Sequence, residues 1–379
     1  MPQFPTPSTL VAMAVIGLTI PASLSAADYY VYYGSPNGGA TNGLYLGHFD
    51  SDTGVLTTPK LAAQAEGPSF FTIAADGKHL YTCYEKAGKV AAYAIDAKTG
   101  DLKLLDVQSS GGQGPCHISL DKTNHFAFVA NYDSGSVAVL PIKDDGSLGE
   151  IISSDQHKGG GVNPTRQEGP HAHCVIVDPS NKFVLCTDLG NDKIYVYPLN
   201  KDGTLAAEGR MTGVLKPGSG PRHLLFNPNG KVLYCINEMG GSVTAFNWDG
   251  ATGALTEFQT ISTLPADFKD PNTDAELAIH PNGKFLYASA RGHDSVAVFS
   301  IDPKTSGLTL VQDAPVGGKT PRYIGFDPSG KWMIAGHQGS DTAVIFSVDA
   351  KTGQITPKSG STIKAPAPIC MLFLPVPGK

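Results

Sequence analysis

The chain has 379 residues, 41% hydrophobic, 8% aromatic and 16% charged, with 44 glycines and 28 prolines. That is too apolar and too sparsely charged for a disordered chain, and far too long for a disulfide-stapled mini-protein. The formal net charge is −6, from 28 basic and 34 acidic residues with no basic run, so the clustered positive footprint that nucleic acid demands is missing.

The first element is the one long apolar stretch, Leu10 to Ile20. It is too short to cross a bilayer, and the following Pro21 and Ser25-Ala26-Ala27 suit cleavage before Asp28. Residues 1–27 are therefore expected to be an export signal. The mature domain, 28–379, would then be periplasmic or secreted, with no membrane association beyond the signal. The segment departs from the usual pattern in having no Lys or Arg ahead of its apolar run.

From Asp28 onward the chain repeats. A small residue followed by proline opens an apolar run at Gly67-Pro68, Gly114-Pro115, Gly169-Pro170, Gly220-Pro221, Thr320-Pro321 and Ala367-Pro368. A degenerate copy, Asp274 to His280, aligns through its following Pro281-Asn282-Gly283-Lys284 and makes seven. Polar turns at 50–54, 96–100, 143–147, 200–204, 249–253, 302–307 and 349–353 give the same count independently. Asp and Asn close such turns with their side chains, and Gly supplies positive φ. Between the two phrases lie short β-type runs joined by hairpin turns, and no window carries a sustained helical stripe.

Four short strands per copy make one blade of a propeller. The first blade lacks an innermost strand, while the last proline phrase is followed only by Ile369–Leu374 and a short tail. The pattern predicts one all-β domain, a seven-bladed β-propeller of four-stranded antiparallel blades, in which the C-terminal strand completes the N-terminal blade and protects its edge. A β-sandwich array would not predict a missing strand at one end and a spare at the other.

Cys83, Cys116, Cys174, Cys186, Cys235 and Cys370 form no CxxC pair and sit in apolar runs, where cysteine acts as a small buried hydrophobe. The spacing excludes zinc-finger and thioredoxin chemistry. Cys174 and Cys186 flank a predicted turn, so a cross-strand disulfide is conceivable in an exported protein.

Innermost strands line a propeller's channel, so polar residues that break the repeat there are candidates for one pocket. The starts of these strands read Ser69, Cys116, His173, Arg222, Ala275, Arg322 and Ile369. The next positions read Phe70, His117, Cys174, His223, Glu276, Tyr323 and Cys370. A second register, at the end of each blade's second strand, reads Glu85, Tyr132, Leu189, Glu238, Arg291 and Gln338. The chain has 5 arginines against 23 lysines, yet Arg222, Arg291 and Arg322 all fall in these registers. The fixed guanidinium fork suits a carboxylate, a phosphate or a developing oxyanion. The plainer alternatives are that His117 and His223 bond backbone carbonyls of their turns, and that Arg222, Glu238 and Arg291 form a structural ion pair between blades. Gly159-Gly160-Gly161 lacks the strand–GxGxxG–helix setting of a dinucleotide site. His171-x-His173 with Glu238 offers metal-type ligands, but no further residue of ligand spacing completes a site, and no metal is expected. No GxSxG or Ser-His-Asp signature is present.

With these residues in view, the chain from about Tyr29 to Phe373 resembles the seven-bladed propeller lactonases: bacterial propeller-type 6-phosphogluconolactonases, exported gluconolactonases and fungal carboxy-muconate cyclases. GPHAH (169–173), GPRHLLFNPNGKVLYCINE (220–238), ELAIHPNGKFLYASARG (276–292) and PRYIGFDPSGKWMIAGHQ (321–338) carry the resemblance. It implies catalytic positions at His171 or His173, Arg222, Glu238 and Arg291, and a small sugar lactone as substrate. His117, His223, Glu276, Arg322 and Gln338 would bind that substrate, with no cofactor. Glu238 or the histidine would activate water as general base, and the arginines would stabilise the oxyanion. The export signal departs from cytosolic phosphogluconolactonases and favours a free sugar lactone. The rival readings are a carboxy-muconate cyclase-like lactonising enzyme and a non-enzymatic propeller scaffold.

Overall fold

Each copy of the repeat folds into one antiparallel sheet, and there are seven. The computed structural model describes residues 28–36, 42–206 and 211–377, so the expected export signal lies outside the described residues. Blades are numbered here from the one carrying Asp28. Their innermost strands are Met371–Pro375, Pro68–Ile73, Pro115–Leu120, Ala172–Val177, Pro221–Phe226, Thr273–Ile279 and Pro321–Phe326. Among the described residues there is no α-helix, only a 3-10 turn at Glu85–Ala87.

Burial explains why the runs pair in this way. The second strand of a blade is covered on both faces: every residue of Val232–Asn237 is buried. The outermost strand meets water on one side, and Ala254–Ser262 is exposed over most of its length. Facing sheets bury their apolar sides against each other, as where Tyr234, Ile236 and Val243 of blade 5 join Leu286, Ala288 and Phe299 of blade 6.

The polar turns add a second connection between blades. Asp50 Oδ1 accepts the amides of Asp52 and Thr53 at 2.8 and 3.0 Å, and Asp96 does the same for Lys98 and Thr99. The turn so fixed presents a carbonyl to the preceding blade. Tyr32, Tyr81, Tyr234 and Tyr287 reach from their second strands to the carbonyls of Gly100, Gly146, Ser306 and Gly353, at 2.5 to 3.0 Å. The turn phrase in one copy and the tyrosine in the copy before it are two halves of one joint.

The ring closes as the missing strand predicts. Met371–Pro375 pairs antiparallel with Asp28–Ser35, Tyr33 opposite Met371 and Tyr29 opposite Pro375. One possibility the sequence left open is closed, and one expectation is corrected. Cys174 and Cys186 do not bond, and all six cysteines are free and buried. Cys174 lies opposite Thr187, and Cys186 opposite Val175. That one-residue offset turns the two thiols to opposite faces of the sheet. Gly169-Pro170 is also not a true copy of the proline phrase. In blades 2, 3, 5 and 7 the rim amide bonds the carbonyl of the residue just before the proline: Gly67, Gly114, Gly220 and Thr320. In blade 4 the acceptor is His171, two residues beyond Gly169.

A chain ending at Pro368 would leave one edge of the Asp28–Ser35 strand unpaired and blade 1 without its inner strand. Gel filtration of that truncation is expected to show aggregate rather than a monomer, because a long apolar edge templates further pairing. A cooperative, monomeric truncation would show that closure is dispensable.

Candidate active site

Successive residues of a regular strand point to opposite faces, so two neighbours cannot both face the channel. The inner strands evade this with a bulge. The pairing of inner with second strand shifts between Pro68 and Phe71, Ala172 and Cys174, Pro221 and Leu224, Asp274 and Leu277, and Pro321 and Tyr323. The residues inside these shifts are Ser69-Phe70, His173, Arg222-His223, Ala275-Glu276 and Arg322, the positions picked out by the sequence registers. A bulge re-aims side chains next to functional sites. Here it brings both Arg222 and His223 inward.

Glu238 is the centre of the arrangement. It ends the second strand of blade 5 and its side chain is 6% exposed. Its Oε2 accepts from Arg222 Nε at 3.0 Å and from Arg291 Nη2 of blade 6 at 2.8 Å. Its Oε1 accepts from Arg166 Nη2 at 2.6 Å. His173 Nε2 of blade 4 stands 4.0 Å from Oε2. Burial works to raise the carboxyl pKa, but Arg291, Arg222 and Arg166 outweigh it and hold it at about 2. The inter-blade ion pair of the plainer reading is therefore present, in a larger set than that reading requires.

The guanidiniums keep donors to spare. A guanidinium has five N–H groups. Among the described residues, Arg222 spends Nε on Glu238 and Nη1 on the Ala275 carbonyl and His223, leaving Nη2 without a partner. Arg291 spends Nε on the Thr273 carbonyl and Nη2 on the Asp274 carbonyl and Glu238, leaving Nη1. Arg322 has no hydrogen-bond partner among them. It lines a cavity of about 270 Å³ with Gln338, Glu85, Lys86 and Ile369. His173 is pushed well below the ordinary imidazole pKa by burial, and then by the positive charges around it, Arg222 first. It is neutral, and its Nδ1 is buried without a partner.

Beneath this layer lies a second, closed one. His223 Nδ1 donates to Glu276 Oε1 at 2.8 Å, and its Nε2 faces Arg222 Nη1 at 3.1 Å, which fixes the neutral tautomer. Phe70 stacks on His117 at 4.2 Å between ring centres, and His117 meets His223 edge-on at 5.2 Å. The Val175 amide reaches His117 Nδ1 at 3.4 Å. Neither histidine bonds a turn carbonyl. Burial pushes the Glu276 carboxyl up to about 7 against the pull of Arg222.

The structure thus brings His173, Arg222, Glu238 and Arg291 together and places Arg322 and Gln338 in one cavity nearby. His117, His223 and Glu276 form the floor. His171 is separate: its Nδ1 donates to the Tyr132 carbonyl at 3.0 Å, its Nε2 lies 3.2 Å from Glu168, and its ring stacks on Tyr132. Both of its nitrogens are held by protein atoms, so the two histidines do not converge as a metal pair. Leu189 is wholly buried and contributes only backbone groups, its amide to the His171 carbonyl and its carbonyl to Gln167.

Arg166 escaped the sequence registers because it comes from the loop before blade 4 rather than from a strand. The scarcity of arginine was a usable signal for it: of the five, only Arg166 and Arg210 fall outside the registers, and Arg210 lies outside the described residues.

The class is therefore a closed seven-bladed propeller with an arginine-held glutamate and a neutral histidine at one mouth of its channel. The chain belongs to the seven-bladed β-propeller lactonase family, whose model matches residues 30–373. It is 37% identical over 349 residues to a 6-phosphogluconolactonase of Bacillus subtilis, spanning 91% of this chain and 98% of that one. It is 33% identical over 294 residues to a 6-phosphogluconolactonase of Formosa agariphila, covering 75% of this chain and 82% of the other. The solved structure of the periplasmic gluconolactonase of Pseudomonas aeruginosa superposes with a TM-score of 0.88 at 30% identity, covering 93% of this chain and all of that one.

The floor predicts a pH response of stability. A carboxyl whose pKa rises on folding keeps its proton while the unfolded chain loses its own, so wild-type stability falls as pH climbs from about 4.5 towards 7. Asp274, pushed to about 7 by burial, adds to the same trend. Glu276→Gln, which can still accept from His223 and the Leu277 amide, is expected to be more stable relative to wild type at pH 8 than at pH 4, by on the order of 1–3 kcal/mol. Denaturant titrations at both pH values check this. An equal difference at the two would exclude a buried, protonated Glu276.

Proposed function

We propose that this chain hydrolyses a sugar lactone of the gluconolactone class to the open-chain acid, and that the reaction takes place at Glu238. The observation that carries the reading is the set of unspent guanidinium donors around a neutral histidine in one channel mouth. A structural ion pair needs no surplus N–H groups. A developing oxyanion does.

Water adds to the ring carbonyl, forming a carbon–oxygen bond, and gives up a proton. Glu238 is a poor acceptor for it, since three guanidiniums hold its pKa at about 2. We assign the proton to His173 instead, which is neutral and whose buried Nδ1 has no partner among the described residues. The imidazolium so formed has Nε2–H directed at Glu238, now 4.0 Å away and able to approach as the charge appears. Arg222 Nη2 and Arg291 Nη1 take the oxyanion. On its collapse the bond to the ring oxygen breaks, and that oxygen recovers the proton from His173. The product carboxylate ionises opposite the same arginines. Gln338 and Arg322 would hold substrate hydroxyls. His171 positions Tyr132 and the adjoining loop rather than substrate. Export to the periplasm, by way of residues 1–27, accompanies this reading, and the relation to a periplasmic gluconolactonase supports it.

The test is proton release from glucono-1,5-lactone by purified protein, corrected for spontaneous hydrolysis, with and without chelator. Glu238→Gln and His173→Ala are each expected to lower kcat at least about a hundredfold; the melting temperature of His173→Ala should stay near that of wild type, while that of Glu238→Gln should fall, because the buried guanidiniums lose their counter-charge. Full activity in His173→Ala would remove the base assignment. No turnover of any lactone by wild type would remove the function.

A further inference from the structure

Tyr132 occupies in blade 3 the place that Glu238, Arg291 and Gln338 hold in blades 5, 6 and 7, at the end of the second strand. Its amide bonds the Gly114 carbonyl at 2.8 Å. Its ring lies on His171, with centres 4.5 Å apart and planes 18° from parallel, and meets His173 edge-on at 5.6 Å. His171 Nδ1 also donates to the Tyr132 carbonyl at 3.0 Å. Amide, carbonyl and ring are thus all held, and only the hydroxyl has bonding capacity left. That hydroxyl accepts from Arg166 Nη2 at 3.3 Å, and its own hydrogen has no acceptor among the described residues. Burial outweighs the pull of Arg166 and raises the phenol pKa above its ordinary value, so the hydrogen stays on at neutral pH.

The same Arg166 Nη2 donates to Glu238 Oε1 at 2.6 Å, whereas Arg222 and Arg291 both bond Oε2. The phenol therefore approaches the carboxylate from its Oε1 side, and the two arginines with spare donors for the oxyanion approach from the other. In a tetrahedral intermediate the former carbonyl oxygen and the ring oxygen are different corners of one carbon, so their donors must come from different directions. A phenol whose oxygen accepts from a guanidinium is polarised into a stronger donor. Such a donor suits an oxygen that gains negative charge as its bond to carbon breaks. His173, which returns the proton to that oxygen in the proposed reaction, packs against the Tyr132 ring.

We propose that Tyr132 is a further catalytic residue, whose hydroxyl donates a hydrogen bond to the ring oxygen of the lactone, the oxygen that leaves. The phenol O–H bond stays intact: Tyr132 holds the departing oxygen while its bond to the acyl carbon breaks, and the proton that neutralises it comes from His173. The inference rests on the lactonase reading for its kinetic test and stands apart from it in its binding test. Tyr132→Phe keeps the ring against both histidines and removes only the hydroxyl, so its melting temperature is expected to match that of wild type. Its kcat for glucono-1,5-lactone should fall at least about tenfold with KM changed less than about twofold. The oxygen-18 isotope effect at the ring position should increase, because loss of the donor slows the breaking of that bond. By calorimetry, wild type is expected to bind 1,5-anhydroglucitol at least about threefold more tightly than its analogue with a ring methylene in place of that oxygen, and Tyr132→Phe should bind the two alike. Equal binding of the two by wild type would overturn the proposal. So would an unchanged kcat in Tyr132→Phe, including a raised KM alone, which would leave the hydroxyl as a contact for a non-reacting group. If no lactone is turned over by wild type but the ring-oxygen preference and its loss are seen, the proposed reaction fails and the Tyr132 contact stands.

Discussion

A carboxylate buried to 6% exposure must be paired or lose its charge, and Glu238 satisfies this with guanidiniums drawn from a loop and from two blades. Much of the mouth is organised by that requirement. Arg222 is held by Glu238 and so turns Nη1 to His223, which fixes the imidazole tautomer and orients Glu276. Arg291 is held the same way and braces the carbonyls of Thr273 and Asp274 at the start of its own blade. Burial pulls the Arg291 pKa down to about 9, with Glu238 opposing, so it stays cationic at neutral pH. One acidic side chain thus sets the direction of three basic ones before any ligand arrives, which is what an electrostatically preorganised site needs.

The architecture was legible because a propeller writes itself seven times. A missing strand at one end and a surplus strand at the other were enough to predict closure, and Tyr29–Tyr33 against Met371–Pro375 is that closure. The registers point to one rim for the same reason: Glu238, Arg291 and Gln338 occupy equivalent places at the ends of second strands. Periodicity fails where the chain leaves the repeat. The loop between blades 3 and 4 obeys no register, so no repeat position points to Arg166, and Gly169-Pro170 mimics the proline phrase two residues ahead of the true rim acceptor, His171. The bulge is likewise invisible as a motif. It shows only as two adjacent polar residues, Arg222 and His223, that a flat strand could not both turn inward.

The histidines illustrate why spacing alone could not assign roles. His171 and His173 are two residues apart and both approach Tyr132, one stacked at 4.5 Å and one edge-on at 5.6 Å. Spacing makes them equivalent; their partners do not. His171 has protein atoms on both nitrogens, whereas His173 keeps an unpartnered Nδ1 and faces Glu238 with the other nitrogen. The difference arises from where the strand begins: His171 precedes it and its carbonyl serves the blade 4 rim, while His173 lies in the bulge.

A ring of seven equal blades has no intrinsic reason to make an asymmetric pocket, and here side-chain size supplies one. At the start of the inner strands, blades 4, 5 and 7 place His173, Arg222 and Arg322, while blades 1, 2, 3 and 6 place Ile369, Ser69, Cys116 and Ala275 at the same level. Charge and bulk are gathered on the arc of blades 4 to 7, interrupted there by Ala275 of blade 6, and the small or apolar groups of blades 1 to 3 leave space opposite. The floor of His117, His223 and Glu276 closes that space below, so water in it meets few competing groups and the local dielectric is low. A low dielectric strengthens every unspent N–H for an anion more than for a neutral oxygen. The chain as a whole carries a net charge of −6, yet three guanidiniums hold one firmly ionised carboxylate at this mouth, with Arg322 in the neighbouring cavity. Local surplus against an opposite global charge places positive charge at the point where, in the proposed reaction, negative charge develops and then remains on the product.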